Sequence, residues 1–369
     1  MSLTGLPLLL LVGLATIAAP LVTTLTWPRR RSRWSVVVGR VAAVLGCQAL
    51  AVATTFLAVN RDFVFYASWG DLLGTTATDA TIRTQDLVHP GQGSIDVVQV
   101  HGPVSGATAP VLLWRPPQYG QPAYAHTRFP VLMVLPGQPS TPSVMFAHFN
   151  FGAAATQAIA EHLVKPFVAV FPPLMTNPPR DTECTDVAGG PKAESWLVDD
   201  VRTAVLQHAR VSAASSSWAV TGYSTGAFCA AKLMLAHPSL FNQAAAFGGY
   251  YRPLTDHTTG DLFGGSRTRF DDNSPLWLYQ RGGLEPGHRL LLITGRQDPS
   301  SYGQTAIMLA ATRNDPGVSS LVFPTGGHNY RNYAGSMPAV LRWLGQGGFG
   351  AGGGAGAGAA AGAGARAGG

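Results

Sequence analysis

The chain has 369 residues, enough for a large buried core and for one to three domains. Charged residues are 12% and apolar residues 46%, which excludes a disordered chain, and three cysteines exclude a disulfide-dense miniprotein or a multi-cysteine zinc module. The net charge of +6 and pI of about 9.4 would suit a nucleic-acid partner only if the basic residues clustered on a folded surface.

They do not. Residues 1–28 carry no charge, and the run from Leu3 to Trp27 is long enough to cross a bilayer. Arg29, Arg30, Arg31 and Arg33 follow, and then a second apolar run interrupted only by Arg40 near its start. This pattern predicts a transmembrane hairpin over residues 1–60. Its helices span about 3–27 and 36–59, joined by a basic loop at 28–35. The positive-inside rule places that loop in the cytoplasm and the rest of the chain on the extracellular side. The alternative is a cleaved signal peptide, with Ala15–Ala19 as the cleavage region. A signal peptide, however, carries its positive charge before the apolar core, and here the charge follows it. All 19 acidic residues and 19 of the 25 basic ones fall in 61–344, so the body of the chain is formally neutral and no nucleic-acid partner is expected.

Residues 61–92 form a juxtamembrane segment. Its aromatic cluster of Phe63, Phe65, Tyr66 and Trp69 suits either the membrane–water interface or packing against the soluble domain. Apolar strand-like runs follow at 95–100, 111–114, 131–135, 168–171, 218–221, 244–247, 290–293 and 321–323. Helix candidates lie at 152–164, 193–210, 226–236, 301–313 and 336–344. The first two strands read as a β-hairpin, and the later strands alternate with helices. Strands that are apolar throughout are buried on both faces. The expectation is an α/β domain over 93–344, with a mostly parallel central sheet, helices on both faces and a ligand site at the carboxyl ends of the strands. Residues 345–369 are almost entirely Gly and Ala and are expected to form a disordered tail.

The strongest local signal is Gly222-Tyr223-Ser224-Thr225-Gly226 between an apolar strand and an Ala-rich helix. In that context G-x-S-x-G is a nucleophile elbow, which holds Ser224 on a sharp turn and aims the Thr225 N–H at a developing oxyanion. A serine needs a base, and the base needs an orienting acid. Asp298 follows the strand at 290–293, where that acid belongs; Asp256, Asp261, Asp271, Asp272 and Glu285 compete, but none directly follows such a strand. His328 follows the last strand on a Gly-rich loop and is the candidate base. His148 and His257 are possible pocket walls. A second oxyanion donor belongs on the loop after the strand at 131–135. Pro136 and Pro139 carry no N–H, leaving Gln138 first and Gly137 second.

These residues resemble the putative-esterase family of α/β-hydrolases, which includes esterase D, feruloyl esterases and the secreted mycolyltransferases. The resemblance covers roughly 90–344 and rests on Val131–Gly137, Glu194–Val201, Gly222–Gly226 followed by His237-Pro238, and Gly326-Gly327-His328. The two-helix anchor resembles that of actinobacterial members. The resemblance implies an α/β-hydrolase fold with Ser224 as nucleophile, Asp298 as acid, His328 as base, and Thr225 and Gln138 as oxyanion donors. Two departures weigh against trehalose mycolylation. Pro136 stands where the mycolyltransferases have an Asp, and their sugar-binding arginine has no counterpart.

Cys184, in the loop after the strand at 168–171, and Cys229, early in the helix after Ser224, both belong near the carboxyl ends of the strands. An extracellular location permits a disulfide between them; two independent thiols are the alternative, which geometry decides. Cys47 lies in a membrane helix as a small apolar residue. Segment 252–288, with Phe263, Phe270, Trp277, Leu278 and Tyr279, suits either an acyl-pocket wall or core packing. No metal-ligand spacing or dinucleotide fingerprint occurs, so no cofactor or metal is expected. The leading expectation is a membrane-anchored extracellular serine esterase acting on an ester or acyl-donor substrate, with a cell-envelope lipid or glycolipid among the candidates. The alternatives are an acyltransferase using the same triad on a sugar or cell-envelope hydroxyl, and an inactive binding or scaffold protein.

Overall fold

The computed structural model describes residues 3, 5–26, 34–63, 69, 72, 87, 89–176, 178, 180–325 and 327–350. The N-terminal part is a pair of helices, α1 (Leu6–Thr26) and α2 (Trp34–Phe63). Thr16 Oγ1 lies 2.7 Å from Thr54 Oγ1 and donates to Leu50 O at 3.1 Å, and Thr23 Oγ1 lies 4.0 Å from Cys47 Sγ. Pairs whose numbers rise on one helix and fall on the other make the two antiparallel. Small and hydroxylated residues at the seam let the backbones approach and satisfy polar groups within the pair. Large apolar side chains such as Leu14, Ile17 and Leu25 face outward. Both helices are long and apolar enough to cross a membrane. The arginines at 29, 30, 31 and 33 and the aromatics Phe65 and Tyr66 lie outside the described residues.

The body is built on an eight-stranded sheet: β1 (Ser94–His101), β2 (Thr108–Arg115), β3 (Val131–Leu135), β4 (Val168–Phe171), β5 (Trp218–Tyr223), β6 (Gln243–Phe247), β7 (Arg289–Gly295) and β8 (Val318–Phe323). The order is β1-β2-β4-β3-β5-β6-β7-β8. β1 and β2 form the expected hairpin, β2 joins β4 antiparallel, and every later pairing is parallel. All residues of β3, β4, β5 and β6 are buried, so both sheet faces are covered there. The chain goes from β3 outward to β4 and then crosses back to β5 on the other side of β3. This reversal makes the carboxyl ends of β3 and β5, where Leu135 pairs with Gly222, the topological switch point, the place where open α/β sheets bind their ligands.

The helices depart from expectation in four places. First, α4 (Phe151–Ala160) stops short of residue 164, because the chain turns at His162 with φ 57°. Second, the helix over 193–208, α5, is π-helical through Trp196–Val201. Third, α3 (Pro142–His148), α7 (Arg267–Asp272) and α8 (Pro275–Gly282) are additional. Thr141, Ser266 and Ser274 cap them with their hydroxyls, and short helices with local caps leave little periodicity to read. Fourth, the body extends past residue 344. The final helix α11 (Met337–Gln346) enters the Gly/Ala segment, Gly347 O accepts from Gln243 Nε2 at 3.1 Å, and Phe349 is buried with its ring 5.8 Å from that of Phe167. One aromatic residue anchors what composition alone reads as tail. Residues 351–369 lie outside the described residues.

Candidate active site

Ser224 stands between β5 and α6 (Thr225–Ala236) with φ 56° and ψ −118°, a conformation that L-residues rarely adopt. Such a residue costs about 1–3 kcal/mol and persists only when its surroundings hold it. Here they do. Ser224 N donates to Phe247 O at 2.9 Å, and Ser224 O accepts from Ala227 N and Phe228 N. The two glycines of the motif are sterically required. A Cβ on Gly222 would overlap the Gly226 carbonyl, and a Cβ on Gly226 would overlap the Leu135 carbonyl. The elbow is therefore wedged against the end of β3. From that end comes Gly137, where an added Cβ would lie 3.2 Å from Ser224 Cβ.

The candidate backbone donors are the neighbours of Ser224 and of Gly137 in the chain. The Thr225 N–H is the first of α6, one of the donors for which a helix offers no internal acceptor. Gln138 follows Gly137, and no described residue accepts from its N–H. Its side chain reaches Met175 Sδ at 3.7 Å, and Ser140 N closes the loop onto Gly137 O at 2.7 Å.

Asp298 lies three residues past β7 and is buried. Its Oδ1 accepts from Ser300 N at 3.0 Å and Ser301 N at 3.1 Å, and its Oδ2 accepts from the Tyr333 hydroxyl. The competing acids are engaged elsewhere. Asp256 closes a turn with Thr258 and Thr259, Asp261 caps Phe263 and Gly264, and Asp271 and Asp272 pair with Arg267 and Arg281. Glu285 is exposed. His328 comes five residues after β8, beside Gly327, whose carbonyl accepts from Asn332 Nδ2 at 2.8 Å. Gly326 lies outside the described residues.

Cys184 and Cys229 form a disulfide with Cα atoms 5.9 Å apart, within the usual range. His148 is half-buried, and that burial lowers its pKa; His257 is exposed. In segment 252–288, Leu262 and Phe263 pack with Val187 and Phe270 in a cluster of their own, so packing accounts for Phe263 and Phe270. Tyr279 donates to Asp315 Oδ2 at 2.9 Å. Among the described residues no group of His, Cys, Asp and Glu is arranged to hold a metal ion.

Sequence reasoning missed three side chains around these residues. Tyr333 and Asn332, both on α10 (Tyr330–Ala334), hold Asp298 and the Gly327 carbonyl beside His328. Burial and the Asp298 carboxylate push the Tyr333 phenol well up, so it is a firm donor. Asp181 accepts from Thr225 Oγ1 at 3.1 Å. Tyr333 lies five positions after His328, and that spacing is the one hint the sequence offers. Nothing in the sequence pairs Asp181 with Thr225, 44 positions away.

A family model described as "Putative esterase" matches residues 106–344. An uncharacterized protein of Corynebacterium glutamicum is 26% identical over 246 residues, covering 62% of this chain and 56% of the relative, so the chain spans just over half the length of that protein. Among solved structures, a ferulic acid esterase superposes with TM-score 0.59 at 15% identity, covering 70% of this chain and 98% of the other. An S-formylglutathione hydrolase from Agrobacterium tumefaciens does so with TM-score 0.59 at 18% identity, covering 70% and 97%. The serine hydrolase FphF of Staphylococcus aureus gives TM-score 0.58 at 16% identity, covering 68% and 98%. At these identities the structural likeness establishes the α/β-hydrolase fold.

Proposed function

The chain belongs to the putative-esterase family, and from that premise we propose that it is a membrane-anchored extracellular serine esterase with Ser224, His328 and Asp298 as its triad. The observation that carries this reading is the elbow. Ser224 is held at φ 56° by a carbonyl on one side and a steric wedge on the other, with the first N–H of α6 next to it in the chain and Gln138 following Gly137. A strained, half-buried hydroxyl at the carboxyl ends of parallel strands is suited to attack, not to packing.

In this reading Ser224 Oγ attacks the ester carbonyl carbon while His328 takes its proton. The negative charge forming on the carbonyl oxygen is met by the N–H groups of Thr225 and Gln138. Collapse expels the alcohol, which takes the proton from His328 and leaves an acyl group on Ser224. Water, deprotonated by His328, then attacks the acyl carbon, and the carboxylic acid leaves with Ser224 reprotonated. Asp298 orients the imidazole and stabilises its charged form.

The test is hydrolysis of p-nitrophenyl esters and labelling by a fluorophosphonate, wild type against Ser224→Ala. Loss of both is expected; retained activity overturns the assignment. A sugar or cell-envelope hydroxyl in place of water would make the second step an acyl transfer from the same acyl-enzyme. Product analysis with and without a sugar acceptor separates the two.

The anchoring is supported by α1 and α2, which are apolar and outward-facing, and the sidedness by the arginines at 29–33 and the Cys184–Cys229 bridge. Protease added to intact cells should digest the body and leave the hairpin; protection of the body reverses the orientation.

A further inference from the structure

Five consecutive loop residues, Asp181-Thr182-Glu183-Cys184-Thr185, are buried, although four of them carry polar side chains. Connecting segments normally run on the surface, because buried polar groups must find partners inside the protein. Thr182 Oγ1 finds none among the described residues, but the two carboxyl groups of the loop converge on one residue of the elbow. Asp181 Oδ1 accepts from Glu183 N at 2.9 Å, and Asp181 Oδ2 accepts from Thr225 Oγ1 at 3.1 Å. The Tyr250 hydroxyl donates to Glu183 Oε1 at 2.7 Å and lies 3.4 Å from Thr225 Oγ1. Leu254 N also donates to the Glu183 carboxyl.

The far end of the loop is tied to α6 twice. Lys232 Nζ donates to Cys184 O at 2.9 Å and to Thr185 Oγ1 at 3.1 Å, and Cys184 is bonded to Cys229. Glu183 and Cys184 hold φ of 46° and 48°, two adjacent non-glycine residues in the left-handed region. The anchors on α6 and on Tyr250 hold that geometry in place. The first residue of α6 is Thr225, whose N–H is the oxyanion donor in the reading above. Its hydroxyl is held by Asp181 and lies beside Tyr250, while its main-chain N–H is one of the donors that α6 leaves without an internal acceptor.

We infer that Asp181 is a positioning residue for the oxyanion hole. Through Thr225 Oγ1 it fixes the direction of the Thr225 N–H, and Glu183, Tyr250 and the Cys184–Cys229 bridge hold Asp181 in register. The inference rests on the proposed role of Ser224 and Thr225. Oxyanion donors must sit within hydrogen-bond reach of an oxygen that carries charge only in the transition state. An error in their direction therefore lowers kcat more than it changes KM.

The experiment compares Thr225→Val, which keeps the shape and removes the hydroxyl, with Thr225→Ser, which keeps the hydroxyl. Asp181→Ala and the double variant Asp181→Ala/Thr225→Val complete the set. The full chain in detergent hydrolyses p-nitrophenyl butyrate, with thermal unfolding followed alongside. Thr225→Val is expected to lose roughly 10–100-fold in kcat with KM within about twofold, and Thr225→Ser to stay within about threefold of wild type. The double variant should be no worse than the poorer single one, because both changes remove the same contact. If Asp181→Ala does not fold, the valine and serine variants decide alone. A folded Thr225→Val enzyme with wild-type kcat, or equal losses in the valine and serine variants, overturns the inference. Retained activity in Ser224→Ala would instead overturn the underlying reading, so the two failures are distinct.

Discussion

Tyr333 donates its phenolic hydrogen to Oδ2 of Asp298, across 35 positions of sequence. Its ring is buried between Tyr223 and Phe323, with centroids 5.5 Å from each, so one aromatic side chain touches the end of β5, the end of β8 and the acid after β7. The neighbouring Asn332 holds Gly327 O. The segment after His328 thus holds both Asp298 and the Gly327 carbonyl.

Tyr333→Phe keeps the packing and removes the donor. A hydrogen bond to a charged group is worth about 1.5–3 kcal/mol, so a drop in unfolding free energy of that order is expected in urea titrations. In the proposed triad, a carboxylate with one donor fewer would stabilise the His328 imidazolium more strongly. The acid limb of the kcat/KM profile should move to higher pH. An unchanged profile would separate Tyr333 from the triad.

Ser224→Ala and Ser224→Gly should both lose at least about 10³-fold in ester hydrolysis. Their stabilities should differ. Glycine adopts φ 56° without strain and alanine does not, so the glycine variant is expected to be the more stable by about 1 kcal/mol in thermal unfolding. The reverse order would show that the elbow is unstrained.

Gly226→Ala places a methyl group against the Leu135 carbonyl. The elbow and β3 must then part, at a cost of about 1–3 kcal/mol. Because the loop proposed to carry the second oxyanion donor leaves from the end of β3, activity should fall even in the fraction that stays folded. Gly303→Ala, where an added Cβ meets nothing within 4 Å, is the control and should leave both stability and activity near wild type.

Two glutamates set opposite pH dependences of stability. Burial pushes Glu183 up to about 8, against the Lys232 charge and the Tyr250 and Leu254 hydrogen bonds, with the Asp181 carboxyl adding to the rise. The native state then holds a proton that the unfolded chain releases near pH 4.5, so stability falls as pH rises from about 4.5 to about 8. Burial would also raise Glu194, but Lys232 and His237 overcome it and hold Glu194 at about 2. Its contribution is present above about pH 4.5 and is lost as pH falls toward 2. Glu183→Gln should flatten the alkaline decline and Glu194→Gln the acid one, in denaturant titrations from pH 3 to 9. Each variant altering the opposite limb would refute the assignment.

The sequence by itself determined the features that depend on neighbours along the chain. The eight strands were legible because each is a short apolar run closed by turn residues. The elbow was legible because the glycines at 222 and 226 and the serine between them are a local steric requirement. Asp298 and His328 stood out because the chain places them just after strands. Tertiary structure alone decided what lies across those loops. Tyr333 meets Asp298, Asp181 meets Thr225, and Phe349 meets Phe167 through folds of the chain spanning 35, 44 and 182 positions. Such pairings leave no period or motif, because they depend on how loops close over the sheet. The neutral body was visible in the composition; the buried acids inside it, and the partners that make their burial tolerable, emerged only once the sheet brought its loops together.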